Sequence, residues 1–425
     1  MAKLVYDKNG RLLFTKEMKK EYTLLFPQML PVMFKLLIRI FETYGYNVEV
    51  LNTTHREVVE TGLKYVHNDT CYPAILTIGQ LIEAVQSGKY DPHKVGLMIT
   101  QTGGGCRASN YIHLLRKALK KADLEYIPVV SVNINGMEPN PGFKISIPLG
   151  RKMIFGMMYG DFLVHVGNQC RPYEINKGET DTLINSWTDR LVEMITNGKG
   201  MSIGQMKVNM AEIVRDFAKI ERSDIKKPRV GIVGEIYIKY APLGNNNLEE
   251  FLMSEGAEVV VPGVTDFLIL KINNRYVDVD LYGGSKLKKF AMSIFQGYIK
   301  KCQSTMIDVI KEEGTFRPPE HFEHLQELVK GYLGPGNKMG EGWLLTAEML
   351  ELINSGTNNI VCTQPFGCLP NHIVGKGMIR KIKDDYPDSN VVAVDYDPGA
   401  TRINQENRIK LMLANAKERM KETDE

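Results

Sequence analysis

The chain is 425 residues long, 43% hydrophobic and 24% charged, and its 53 basic against 50 acidic side chains leave a formal net charge of +3. That length exceeds what one ordinary core serves and predicts two or three globular domains. So small a charge excludes a general nucleic-acid binder. Lys35 and Arg39 break the longest apolar stretch near the start, Leu30 to Phe41, and nothing reaches the length of a membrane span. The opening Met-Ala-Lys-Leu-Val-Tyr-Asp lacks a signal-peptide core, so a cytoplasmic protein off the membrane is expected. In that reducing compartment the six cysteines are expected as thiols or metal ligands rather than disulfides.

In chain order, Leu4 to Phe14 reads as a short hairpin turning at Asn9-Gly10. Met29 to Tyr44 has helical periodicity and stops at Gly45, and Asn47 to Leu51 reads as a strand. Pro73 to Val85 is a predicted helix and Val95 to Thr100 a continuous apolar strand. After Gly103-Gly104-Gly105 come a basic amphipathic helix, Ser109 to Ala122, and another strand, Ile127 to Val132. Short apolar strands separated by helices predict a parallel sheet covered on both faces. Gly142 to Ser223 reads as mainly helical, and Lys226-Lys227-Pro228 as a boundary. A second α/β unit then opens with a strand, Arg229 to Ile238, followed by a helix at Asn247 to Ser254, a strand at Glu258 to Val261 and a helix at Lys286 to Glu313. Gly331 to Gly342 is a glycine-rich loop. Helices at Trp343 to Ile353, His372 to Asp384 and Asn404 to Lys417 alternate with strands at Asn359 to Thr363 and Val391 to Asp395. The expected organisation is an α/β domain over residues 1–140, a helical connecting section over 141–225 and a second α/β domain over 226–425.

Four cysteines share one setting. Cys71 and Cys368 each stand just before a predicted helix, followed two residues on by Pro73 and Pro370. Cys106 follows a strand and the triple glycine, and Cys362 ends a predicted strand. Loops at the carboxyl ends of parallel strands gather on one edge, where sites form, so cysteines from both units can converge. Thiolates suit iron–sulfur clusters or zinc, and helix N-termini stabilise them. Gly103, Gly104 and Gly105 would let backbone amides approach a cluster. The spacing itself leaves iron–sulfur, zinc and plain buried thiols all open, since no Cys-x2-Cys is present. Cys170 and Cys302 are read as structural.

Other signals favour plainer readings. The triple glycine lacks a Walker lysine, and Val230-Gly231-Ile232-Val233-Gly234 lacks the third glycine of a dinucleotide turn. Asp395-Tyr396-Asp397-Pro398-Gly399 reads as a turn, His372 as a helix-start residue and Trp343 as a core anchor.

Longer segments are more specific: Asn68-Asp69-Thr70-Cys71-Tyr72-Pro73-Ala74, Gln101-Thr102-Gly103-Gly104-Gly105-Cys106-Arg107-Ala108-Ser109-Asn110-Tyr111, Asn337-Lys338-Met339-Gly340-Glu341-Gly342-Trp343, and Cys362-Thr363-Gln364-Pro365-Phe366-Gly367-Cys368-Leu369-Pro370-Asn371-His372. With Phe14 to Lys20 and Pro27 to Pro31, they make the chain resemble the C-terminal part of the long activase-fused proteins of the 2-hydroxyacyl-CoA dehydratase superfamily, which includes the double-cubane cluster proteins. The resemblance spans about Phe14 to Ala416. It implies two flavodoxin-like (Rossmann-like) domains with an iron–sulfur cluster between them, held by Cys71, Cys106, Cys362 and Cys368. It also implies low-potential electron transfer, with an ATP-hydrolysing iron–sulfur activase as electron donor, for chemistry on an acyl-CoA or small molecule. The chain has no activase nucleotide loops and no clear CoA-binding motif, and four cysteines suit one [4Fe-4S] cluster or part of a shared site. A separate activase and a second dehydratase-like subunit or second copy are therefore expected. Two alternatives stand beside this reading: a cluster-carrying subunit without catalysis, and a zinc-stabilised α/β binding protein.

Overall fold

A computed structural model describes residues 2–102, 104–132 and 138–424. Among the described residues, eight strands form two four-stranded sheets in which every pairing is parallel. The first contains β1 (Thr23–Pro27), β2 (Asn47–Leu51), β3 (Val95–Thr100) and β4 (Val129–Val132), ordered β2-β1-β3-β4. The second contains β5 (Arg229–Gly234), β6 (Glu258–Val260), β7 (Asn359–Pro365) and β8 (Asn390–Tyr396), ordered β6-β5-β7-β8. Both sheets thus have the flavodoxin-like order, with the strand order reversing between β1 and β3 and between β5 and β7. The inner strands β3, β5 and β7 are mostly apolar and buried because helices cover both faces of each sheet.

The expected α/β class holds, and so do most strand positions. β1 was not anticipated: Thr-Leu-Leu-Phe-Pro is short and lies directly after the helix Lys16–Glu21. The strand expected over Arg229 to Ile238 stops at Gly234, whose φ is +142°. A Cβ there would meet Thr363 Oγ1 at 2.1 Å, so only glycine fits. Glu235 then caps a short helix, Ile236–Tyr240, through a hydrogen bond from the Ile238 N–H to Oε2 (3.0 Å). The β-branched residues Ile236 and Ile238 are helical because this cap and the sheet end overrule their propensity. The strand expected to end at Thr363 continues to Pro365.

The helical section contains the helices Ile147–Cys170, Glu179–Thr196 and Ile203–Ala218. Its core is not private. Leu24, Met98 and Val130 of the first sheet share one apolar cluster with Phe155, Phe162 and Phe217 of this section and with Ile299 and Ile310 of the helix Lys286–Glu313. Asp161 fastens the section to the second unit by accepting from the N–H groups of Val264 (3.2 Å) and Thr265 (2.7 Å), at the start of the helix Val264–Tyr282.

Several charges lie deep beside this junction. Lys239 Nζ donates to both carboxylate oxygens of Glu348 (2.9 and 3.0 Å), and both side chains are buried. Burial pushes the Asp266 carboxyl up to about 7, with Glu348 and Asp161 adding to the rise. Burial likewise pushes Glu351 up to about 8, helped by Asp266 and Glu320.

Breaking a buried ion pair from one side strands the other charge. Lys239→Met should therefore cost about 3–5 kcal/mol in urea unfolding; a change within ~0.5 kcal/mol would contradict the pairing. A raised carboxyl stabilises the folded chain while the pH is below its unfolded pKa, and that stability is lost as pH rises through the folded value. The apo-protein's urea midpoint should fall between about pH 5 and about pH 8, and Glu351→Gln should flatten that fall.

Candidate metal centre

Cys71, Cys106 and Cys368 each occupy the residue before a helical turn. Cys71 precedes the helix Tyr72–Gln86, with Pro73 in its first turn. Cys106 precedes the single turn Arg107–Asn110, which runs directly into the helix Tyr111–Lys121. Cys368 precedes the helix Leu369–Val374, with Pro370 in its first turn. Proline suits these positions because the first-turn N–H groups have no intrahelical acceptor.

Backbone contacts bring the loops together. The Tyr72 N–H donates to the Phe366 carbonyl (2.9 Å), joining the Cys71 loop to the loop after β7. Gly367 has φ +69°, and a Cβ there would stand 3.0 Å from Cys71 Cα. A third segment closes over Cys106: a Cβ on Gly105 would lie 2.7 Å from Met339 Sδ. Two residues on, Glu341 Oε1 accepts from the Ile236 N–H (2.9 Å), which draws in Glu235 at the end of β5. The site therefore lies at the carboxyl edges of both sheets, beside their switch points.

The surroundings are rich in acidic groups. Burial pushes the Cys71 thiol up, opposed by the Tyr111 hydroxyl 3.1 Å from Sγ and reinforced by Glu235. Burial pushes Cys106 up to about 11, opposed by the Ala108 amide, with Glu341, Glu235 and Cys71 adding to the rise. Burial also pushes Cys368 up, and Glu341, Glu235 and Cys106 reinforce it. Glu235 itself is raised to about 8 by burial and by Glu341. Two cations lie nearby: Arg107 acts on the Cys71 thiol, and Lys271 Nζ donates to the Gly340 carbonyl, with burial lowering its pKa against the pull of Glu341 and Cys106. Without a further cation, protons keep the three thiols and Glu235 neutral near pH 7. The donor set of three soft thiols with buried acids therefore fits a cationic iron–sulfur core, whose binding would release protons.

Cys362 does not join them. Because β7 extends past it, Cys362 lies mid-strand and faces the same way as Ile360, into an apolar layer with Leu345, Met349 and Val374. Its Sγ is 3.8 Å from Asn371 Oδ1, and burial pushes its thiol up to about 12, with Glu348 rather than another cysteine as the main neighbouring charge. The alternation of the strand carries its side chain away from the edge where the other three meet.

Of the triple glycine, Gly103 lies outside the described residues. Gly104 is open, with nothing within 4 Å of a built Cβ, whereas Gly105 is pinned by Met339. Cys170 and Cys302 are buried in the shared helical core, as expected. His372 Nδ1 is 2.9 Å from the Cys368 carbonyl oxygen and 2.5 Å from Gln364 Nε2, which braces the cysteine loop. Asp395 pairs with Lys376 (3.0 Å), Asp397 accepts from the Gly399 N–H (2.7 Å) as in a plain turn, and Trp343 packs on Phe322. Sequence reasoning missed Tyr111, Glu235 and Glu341. Glu341 and Tyr111 had one available signal, their places in two of the long motifs; Glu235 becomes a neighbour of the thiols only through folding. Among the described residues, no three His, Cys, Asp or Glu side chains are arranged to hold a single metal ion.

No protein-family model matches the chain, and no curated protein matches it either.

The approach of the two cysteine loops depends on Gly367. Gly367→Ala should cost about 1–3 kcal/mol through its left-handed backbone and the clash with Cys71. Metal uptake should fall with it, and thermal unfolding together with metal analysis checks both. An alanine variant as stable and as metal-competent as the parent would show that the close approach is not required.

Proposed function

We propose that the chain is an iron–sulfur protein of the 2-hydroxyacyl-CoA dehydratase type, acting in the cytoplasm and receiving low-potential electrons from a separate ATP-dependent activase. The meeting of Cys71, Cys106 and Cys368 at the facing edges of two parallel sheets carries this reading. A bound cluster would supply one-electron transfer at low potential. The chain's own residues would hold and shield it. Cys71 and Cys368 are only 6% exposed, while Cys106 is more open and marks the side from which an electron could enter. Tyr111 places a hydroxyl against the Cys71 sulfur, and such hydrogen bonds tune a cluster's potential. An iron–sulfur core is favoured over zinc because one tetrahedral ion draws its donors into a single coordination sphere, whereas a cluster spreads its thiolates over separate irons. The chemistry proposed is reductive or radical transformation of an acyl-CoA or small molecule.

A cluster-carrying subunit that completes its active site with a second dehydratase-like subunit or a second copy is a specific alternative. It is favoured by the position of the cavity of about 300 Å³, which is lined by residues such as Asp161, Glu249 and Asp266 and does not reach the cysteines.

Anaerobic reconstitution should give a brown protein with about four irons and four sulfides per chain. Cys71→Ser, Cys106→Ser and Cys368→Ser should each lower iron content by at least about half, the loss expected when a thiolate ligand is removed from a cubane. A colourless, iron-free chain, or one holding zinc without sulfide, would sink the proposal. Turnover of an acyl-CoA with activase, ATP and reductant would separate the catalytic reading from the carrier reading.

A further inference from the structure

We infer that Glu341 is the fourth ligand of the cluster, so that three irons carry the thiolates of Cys71, Cys106 and Cys368 and the fourth carries a carboxylate oxygen. This rests on the cluster reading above and concerns what completes it. Three thiolates leave one corner of a cubane without a cysteine, and Cys362, the cysteine nearest in sequence, is turned into the apolar layer of the second sheet. Glu341 is 8% exposed. Its Oε1 is held by the Ile236 N–H at 2.9 Å, and among the described residues Oε2 has no hydrogen-bond or ion-pair partner. Oε2 is not fully enclosed, so a cation entering the site can reach and satisfy it. Lys271 does not do so, since its ammonium is bonded to the neighbouring Gly340 carbonyl.

The backbone around Glu341 is fixed for this placement. Gly340 and Gly342 have φ of +60° and +56°, and a Cβ on Gly342 would meet the Asn337 carbonyl oxygen at 2.3 Å. Met339 packs on Gly105, beside Cys106, and Gly340 packs on Pro370, beside Cys368, so residues preceding Glu341 touch both cysteine loops. Glu235 is the other acid present, but its carboxylate accepts from two backbone N–H groups, those of Tyr237 and Ile238, at the start of the helix Ile236–Tyr240. A carboxylate oxygen is a harder and more readily displaced donor than a thiolate, so the fourth iron would be the exchangeable one.

The test reads the irons themselves. Wild-type chain, Glu341→Gln, Glu341→Cys and Cys362→Ser would be reconstituted anaerobically with isotopically enriched iron and compared by Mössbauer and EPR spectroscopy. Gln keeps an acceptor for the Ile236 N–H, so that variant retains the loop. In the wild type, about one iron in four should be spectroscopically distinct. Glu341→Cys should abolish the distinction by making all four sites thiolate. Glu341→Gln should lose that one iron on mild oxidation and show the EPR signal of a three-iron cluster, while Cys362→Ser should match the wild type. Four like irons in the wild type, spectra unchanged in both Glu341 variants, or a site lost in Cys362→Ser would each overturn the inference while leaving a cluster in place. A wild-type chain that takes up no cluster would instead remove the reading beneath it.

Discussion

The close approach of Gly367 to the Cys71 backbone is the contact on which the rest of the site depends. It joins the loop after β7 to the segment that starts the helix Tyr72–Gln86, and so sets the carboxyl edge of one sheet against that of the other. The contact is possible because Gly367 takes a left-handed backbone with no side chain to accommodate. Once it is made, Cys71 and Cys368 become neighbours although they belong to different sheets. Gly105 repeats the device on the other side by letting Met339 lie over the turn before Cys106. Two glycines, at two loop ends, thus let three cysteines share one space.

What gathers there is an excess of groups that prefer to be neutral when buried. Three thiols and the carboxyls of Glu235 and Glu341 face one another with little compensating positive charge, and burial raises the thiols and Glu235 together. Such an arrangement is costly while the groups are charged, which is why burial favours their protonated forms. The second group of buried acids, Asp266 and Glu351 beside the Lys239–Glu348 pair, differs in kind: it already contains its own cation and sits where the helical section meets the second sheet. In that second group the lysine is bonded to a carboxylate, whereas at the cysteine loops Lys271 is bonded to the Gly340 carbonyl.

The helical section, residues 141–225, does more than connect the two α/β units. It was expected as a connector, yet its apolar residues complete a core that also includes Leu24 of β1 and Ile310 of the helix Lys286–Glu313. Asp161 adds a polar tie by capping the helix that begins at Val264. A section that shares its core with both α/β units restrains their relative motion, which keeps the facing sheet edges, and the thiols on them, in register.

Much of this was legible in the amino-acid sequence. The apolar runs Val95 to Thr100 and Asn359 to Thr363, each bounded by turn residues, specified buried parallel strands because side chains that face helices on both sides must all be apolar. Proline two residues after Cys71 and Cys368 marked helix starts, and Cys170 and Cys302, read as structural, lie buried in the core. Strand ends were less legible. Ile236 and Ile238 suggested more strand, but Gly234 and the Glu235 cap turn the chain into a helix. The two residues by which β7 runs past Thr363 place Cys362 inside the strand, where its side chain is committed to the apolar layer. Sequence by itself determined the α/β alternation, the helix starts and the cysteines available, because these follow from local periodicity and backbone chemistry. Only the tertiary structure decided which of those cysteines meet, and that Tyr111, Glu235 and Glu341 stand with them, because facing and convergence depend on strand length and on contacts between residues hundreds of positions apart.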